Sequence, residues 1–427
     1  MNKHVLTAAC IAITLSACKE PLHIGDDEHP LPEPTTTALQ RSIAFSQTQP
    51  IFLRPADADV VPSGLADLKA STCGSCHTEI YEEWRISTHA RAWADDPQFQ
   101  AELHKPRADG SDVTWMCRNC HTPLRKQQPQ LVVGLQDGAL DRPIYEANAD
   151  FDSTLQQDAI TCATCHVRDG VILGPFGDSA APHPVKKSAR LLSNEVCTDC
   201  HQAKAWFEEL ALACVFDTGE EFESSPYAKE GFTCQKCHMP EVQRPLVVGG
   251  PPRATRRHWF GGSMIPKQER FEAEISEMRK HYPEGLSTGW ADPPDEVLAG
   301  SAIRAYYYVY NEHAGHRLPS GDPERFLLIT ARAKDAAGAT LAEHTERIGA
   351  LWEWSPQPRQ ISDNRLAPRE RRTLTLEFSA PRSGPITLEL EASKWRISEE
   401  NLDYHQLRGK LVPGRVVHTA ISTVNVR

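Results

Sequence analysis

The chain is 427 residues long with a hydrophobic content of 40%, enough for two domains but modest in apolar material for that length. Its formal net charge of −11 excludes nucleic acid as a partner and offers no basic patch to acidic lipids. With 13 cysteines and 18 histidines, the chemistry of the sequence lies in sulfur and imidazole.

At the N-terminus, Lys3 precedes an apolar stretch from Val5 to Leu15 that is too short to cross a bilayer as a stable helix and reads as an export signal. The stretch ends in Leu15-Ser16-Ala17-Cys18, which resembles a bacterial lipobox: small residues admit the signal peptidase and the Cys18 thiol takes a diacylglyceryl group. Residues 1–17 are thus expected to be a lipoprotein signal peptide, with Cys18 the lipidation site; the alternative is an ordinary cleaved signal with Cys18 incidental. Lys19, with no aspartate there, resembles outer-membrane sorting patterns. The expected location is the periplasm or the cell surface, with a lipid anchor in the outer membrane. Residues 18–62 carry Pro21, Pro30, Pro32 and Pro34 and little apolar periodicity, and read as a Pro-rich tether in which His23 and His29 are solvated.

Next, the pattern Cys-x-x-Cys-His occurs five times: Cys73, Cys76, His77; Cys117, Cys120, His121; Cys162, Cys165, His166; Cys197, Cys200, His201; and Cys234, Cys237, His238. Random placement would give roughly 0.02 copies. The spacing suits c-type haem, because two thiols add to the two vinyl groups of one porphyrin while the adjacent imidazole reaches the iron. Structural zinc has no use for a histidine at that fixed position and needs an even set of half-sites, and redox dithiols do not come in fives. Five c-type haems with these five histidines as proximal ligands are therefore expected, in a domain spanning residues 63–290. At about one motif per 33 residues the cofactors must touch, become part of the core and form a path for electron hopping. Lys267 to Tyr282 places Phe271, Ile275, Met278 and Tyr282 at helical spacing, so a helix is predicted to close the region.

After Pro294 the period changes to two. Leu374, Leu376 and Phe378 alternate with Thr373, Thr375 and Glu377, and Ile386, Leu388 and Leu390 with Thr387, Glu389 and Glu391. Ile303 to Tyr310, Phe326 to Ala333 and Val416 to Val426 add strand candidates, and Asp335 to Gly338 and Ser383 to Pro385 read as turns. The expected fold class is α+β: a loop- and helix-rich multihaem domain followed, at residues 295–427, by a small antiparallel sandwich of immunoglobulin-like type.

Three stretches carry a family resemblance: Cys73 to His77 followed by Tyr81, Trp84 and Ser87-Thr88-His89-Ala90; Cys162 to Gly170 leading to His183; and Cys234-Gln235-Lys236-Cys237-His238-Met239-Pro240. Together they resemble the cytochrome c-554 type of multihaem cytochrome, whose haems sit in closely packed pairs and whose relatives include hydroxylamine- and nitrite-converting enzymes. The C-terminal region is similar to the β-domain attached to several such cytochromes, in which a segment like Gly315-His316-Arg317-Leu318-Pro319-Ser320-Gly321 recurs. A fifth motif and the added β-domain depart from the tetrahaem pattern, so the partner of that family does not carry over.

The distal position of each iron decides function: a second imidazole closes it into an electron carrier, whereas an open position admits small molecules. His89, twelve residues after His77 in the family-like segment, is the first candidate. His183 stands in a loop between Pro182 and Pro184, and His258 precedes Trp259-Phe260-Gly261-Gly262, a ring-lined setting where glycine permits close approach. The resemblance favours His316 over its competitor His313, and His104 is the fifth choice. His281, His344, His405 and His418 read as surface residues and Cys214 as a small packed hydrophobe. The expected function is electron transfer through five haems in respiratory or extracellular electron transfer, with other redox proteins, a membrane reached through the lipid anchor, and further copies of the chain as partners. The rival readings are a reductase or oxidase of a small nitrogen or sulfur compound at one open iron, and a β-domain that docks a partner.

Overall fold

In the computed structural model, which describes residues 37–427 apart from 106–109, 178–179, 208–211 and 355, the two sequence periodicities become two regions of an α+β fold. The signal segment, Cys18, His23, His29 and the tether as far as residue 36 lie outside the described residues. Residues Ala38–Arg427 form one compact unit, so the two regions pack on each other.

The motif region is built of short helices joined by small ribbons. Thr114–His121, Cys162–His166, Glu195–His201 and Cys234–His238 each carry a whole motif at the helix end, and Ala70–Gly74 carries Cys73. Between them lie two-stranded ribbons, Gln130–Leu135 with Pro143–Ala147, Ala203–Phe207 with Leu212–Phe216 and Glu241–Pro245 with Pro252–Arg256, and a three-stranded sheet around Val171–Gly174. The predicted closing helix is shorter than its apolar spacing suggests, Glu272–Arg279 after a 3-10 turn, because Lys267 and Arg270 are drawn to Asp96 and Asp95. Ile275 and Met278 are buried and Phe271 and Tyr282 pack beside them, as the spacing required.

The tether expectation fails over its last part. Ala38–Gln47 is a helix packed on the ribbon strand Gln130–Leu135, with Arg41 paired to Glu146 and Phe45 against Trp115. Leu53 and Ala58 are buried beyond it. The face that this helix buries is Ser42 and Ser46, four residues apart, and the Ser46 hydroxyl accepts from the buried Arg125 guanidinium at 2.8 Å. A helix docked through serines leaves no apolar stripe to read.

The C-terminal region is a sandwich of two sheets. One has the strands Leu286–Ala291, Ala302–Asn311 and Arg371–Ser379; the other runs in the order Glu296–Val297, Gly414–Val426, Ile386–Trp395, Phe326–Lys334, Thr340–Glu353, Arg359–Asp363. Their inner faces share one apolar core, from Ile303, Ala305, Tyr307 and Val309 across to Ile329, Ala331, Ile386, Leu388 and Leu390. Two expectations are corrected. The sandwich begins at Leu286, ahead of residue 295, with Leu286 and Thr288 buried on a strand whose polar residues and Gly289 hide its alternation. It is also not wholly antiparallel, since Glu296–Val297 pairs parallel to Asn425–Val426.

Candidate haem centres

The two cysteines of a motif stand three residues apart on a helix, so both thiols emerge on one face with the histidine at the helix end. Four motif rings are held by one device. The Nδ1–H of His77 donates to the Leu246 carbonyl at 2.9 Å, that of His121 to Ala92 at 2.6 Å, that of His166 to Leu173 at 2.9 Å, and that of His238 to Gly261. A carbonyl only accepts, so the proton sits on Nδ1 and leaves the Nε2 lone pair for a metal.

Three of the motif rings face a second imidazole. His201 with His89, His166 with His258, and His238 with His316 each have ring centres 6.3 Å apart, at interplanar angles of 45°, 33° and 9°. Two imidazoles bonded end-on to one metal, with bonds of about 2.0 Å and ring centres about 1.1 Å behind each nitrogen, stand about 6.2 Å apart. Each pair therefore fits a single iron. Among the described residues no group of three or more His, Cys, Asp or Glu is gathered tightly enough to hold an ion by itself. Two axial imidazoles without protein ligands at the equator suit a porphyrin, which brings four nitrogens, and not a structural zinc.

The second imidazoles are as firmly placed as the first. His258 donates from Nδ1 to the Arg256 carbonyl at 2.8 Å, and its backbone N–H donates to the Glu83 carboxylate at 2.8 Å. Glu83 is buried and paired with Arg244 at 2.7 Å and Arg257 at 2.5 Å. Phe260, in the left-handed region at φ 51°, lies 4.4 Å from the His89 ring and 5.6 Å from that of His258. A side chain at Gly261 would start 2.5 Å from Met264 and 2.6 Å from Tyr282, so only glycine brings its carbonyl to His238 there. Burial, with the nearby His201 and His238, pushes His89 down to about 3; burial and His166 push His258 down to about 3; burial and His238 lower His201 to about 4. Burial likewise lowers His121, His166 and His316. All six rings are neutral at neutral pH, the form that ligates.

His316 reaches this region from the sandwich. Its loop is clamped to the helix Thr218–Glu223: Glu221 accepts from the Arg317 N–H at 3.2 Å, from the Ser320 hydroxyl at 2.6 Å and from Arg365 at 2.6 Å. The Tyr227 hydroxyl donates to the Glu312 carbonyl at 2.7 Å, and a Cβ at Gly315 would meet Phe222 at 2.9 Å. The Nδ1–H of His316 donates to the Arg317 carbonyl at 2.8 Å.

The other candidates fall differently. His104 is exposed at the end of the helix Pro97–Leu103, where its Nδ1–H donates to the Gln100 carbonyl at 2.8 Å; it serves the helix end and meets no motif ring. His183 keeps a buried Nδ1 without a hydrogen-bond partner and is not stacked with a motif histidine. His313 is exposed, 3.8 Å from Glu312. Among the described residues neither His77 nor His121 is paired with a second imidazole; Phe99 stacks on His121 instead, ring centres 3.7 Å apart. Sequence reasoning missed Glu83 and Phe99, for which no motif gives a signal.

Thiols of different motifs meet. Cys162 acts electrostatically on Cys73, Cys120 on Cys200 and Cys197 on Cys234, which makes neighbours of the first and third, second and fourth, and fourth and fifth motifs. All ten motif cysteines are free of disulfides. Cys214, half-buried in the ribbon strand Leu212–Phe216, is pushed up to about 12 by burial, in keeping with a packed filler.

Imidazole pairs at this spacing behind Cys-x-x-Cys-His helices are the arrangement that a multihaem c-type cytochrome uses. Residues 72–142 match the family described as cytochrome c554 and c-prime. The fold is similar to that of a penta-heme cytochrome c552 from Thermochromatium tepidum, at TM-score 0.59 and 17% identity over 85% of this chain and 100% of that one. A weaker match, at TM-score 0.19 and 16% identity, joins 33% of this chain to 87% of the CARDB domain of the PF1109 protein from Pyrococcus furiosus. No curated protein matches the chain in sequence.

Proposed function

We propose that the protein holds five c-type haems and passes electrons through them outside the cytoplasm, in respiratory or extracellular electron transfer. The observation that carries this reading is the spacing of 6.3 Å repeated in three histidine pairs, since a closed iron with two imidazoles exchanges electrons and leaves no place for substrate. When bound, the haems supply the redox chemistry; the chain attaches them through paired thiols, fixes the axial rings through backbone carbonyls and excludes water by burial. Cys165 also lies within electrostatic reach of Cys200 and Cys197, which joins the third site to the fourth, so the thiol neighbours support a branched path with the fourth site at its centre. Cys76 and Cys237 are exposed, which favours the first and fifth sites as the places where other redox proteins exchange electrons. Cys18 would carry the lipid that holds the protein at the outer membrane.

A second reading, a reductase or oxidase of a small nitrogen or sulfur compound, is favoured by one observation: His121 has an aromatic ring beside it and no second imidazole among the described residues. Intact mass and low-temperature electron paramagnetic resonance test both together. Five haem additions with wholly low-spin iron support the carrier. A high-spin signal from one haem in five supports the reductase, and fewer than five additions in matured protein refute the haem count.

A further inference from the structure

Where the sandwich meets the motif region, five charged side chains are gathered beside His121. Lys267 is paired with Asp96, which also caps the helix whose Phe99 stacks on the His121 ring. Arg396, next to the strand Ile386–Trp395, inserts from the sandwich and donates to the carbonyls of Ile265 at 2.6 Å and Pro266 at 3.4 Å. The Val412 N–H donates to the Lys267 carbonyl at 3.3 Å, which closes the junction. Asp322 and Arg325 come from the loop after His316, and both act electrostatically on Arg396.

The charges do not balance. Three cations, Lys267, Arg325 and Arg396, face two carboxylates, Asp96 and Asp322. Asp96 is taken by Lys267, and Asp322 accepts the Glu324 N–H at 2.9 Å. Among the described residues neither Arg396 nor Arg325 forms an ion pair; Arg325 donates only to the Ser320 carbonyl at 3.1 Å. Arg396 is 6% exposed and its Nε–H is buried without an acceptor. The other buried guanidinium groups among the described residues are matched, Arg91 by Glu274, Arg125 by Asp59 and Arg244 by Glu83. A buried, unmatched guanidinium is costly enough that a native fold supplies it an anion. Its fork geometry suits a carboxylate.

We propose that Arg396, with Lys267 beside it, is the binding site for a propionate carboxylate of the haem held at His121, so that the β-sandwich sets the charge around that haem. The proposal rests on the five-haem reading. In this arrangement Arg396 is a positioning residue: it fixes the porphyrin edge and stabilises the reduced, more negative state of the iron. A free oxyanion would satisfy the same guanidinium, and its presence would make this a substrate pocket.

The test compares holoprotein with Arg396→Gln and Arg396→Lys by haem count from intact mass, spectroelectrochemical titration and resonance Raman spectroscopy of the propionate bending modes. In Arg396→Gln all five haems should remain, one midpoint should move negative by about 59 mV or more, a tenfold change in a one-electron equilibrium constant, and the propionate bands should shift. Arg396→Lys should keep most of the potential but still shift those bands, because an ammonium lacks the fork. If Arg396→Gln does not fold, the Lys variant alone decides. Unchanged propionate bands in either folded variant overturn the proposal. So does a wild-type spectrum that responds to added nitrite or inorganic phosphate while Arg396→Gln does not, which would assign the site to a free oxyanion. Fewer than five haems in wild type would refute the haem count whatever Arg396 does.

Discussion

Replacing His316 by Ala asks whether the sandwich is part of the redox path. The ring stands 6.3 Å from that of His238 and within 9° of coplanar with it, in the relation that two ligands of one iron require. Truncation removes that ligand and one hydrogen bond to the Arg317 carbonyl, worth about 1 kcal/mol. The Glu221 clamp stays, so the loop should hold its place. His313 is exposed and directed toward Glu312, and among the described residues no imidazole besides His316 is paired with His238, so no substitute ligand is at hand there. One of five haems should therefore turn from low to high spin, about a fifth of the total, and bind carbon monoxide when reduced. Added imidazole should fill the space left by the side chain and restore the low-spin signal. His313→Ala should leave the spectrum as it was. If His316→Ala keeps every haem low spin, the assignment of His316 to the iron of His238 is wrong.

Cys18→Ser should release the protein from membranes with its haem load intact, because lipidation and haem attachment use different cysteines; unchanged retention in the membrane fraction would reject the anchor. Burial pushes the Glu284 carboxyl up, but Lys394 and Arg415 outweigh burial and hold it below the usual range. A depressed folded pKa stabilises the fold above about pH 4.3 and is lost as pH falls through the folded value, so the stability gap between wild type and Glu284→Gln in urea should be present at pH 7 and shrink toward pH 3. A chain ended before Leu286 should lose the low-spin state of the His238 haem together with the sandwich; a truncated protein with the full low-spin signal would place that ligand elsewhere.

What the sequence disclosed was set by where its physics is local. Covalent attachment needs Cys-x-x-Cys-His in one short segment, so five candidate attachment points could be named. His316 was favoured by the resemblance of its segment Gly315 to Gly321 to a recurring one, and the period-two runs at Leu374 and Ile386 marked real strands. Thr340–Glu353 went unseen because the polar run Glu343 to Arg347 separates its apolar residues, Leu341 and Ala342 on one side and Ile348 to Trp352 on the other. The helix Ala38–Gln47 was read as tether because serines make its contacts. His104 was the fifth choice of ligand, with an exposed helix end as its competing place, and it is at a helix end that its Nδ1–H serves the Gln100 carbonyl. Glu83 joins two arginines and the backbone of His258 across more than 150 positions, a relation that no local pattern records.

The distribution of apolar side chains gives the two regions different sources of order. In the sandwich one continuous core runs from Leu286 to Val424. In the motif region the buried apolar residues fall into separate small groups, around Leu68 and Leu124, around Leu53 and Trp115, and around Ile275 and Met278. Isolated two-stranded ribbons and helices of five to eight residues are marginal by themselves. Porphyrin faces, tied to the chain at two sulfurs and an imidazole, would give such elements a shared apolar surface. The sandwich, stable through its own core, can then hold His316, Arg396 and the partners of Glu284 against the motif region as fixed points. A region whose apolar residues fall into separate small groups is thereby braced by one with a continuous core.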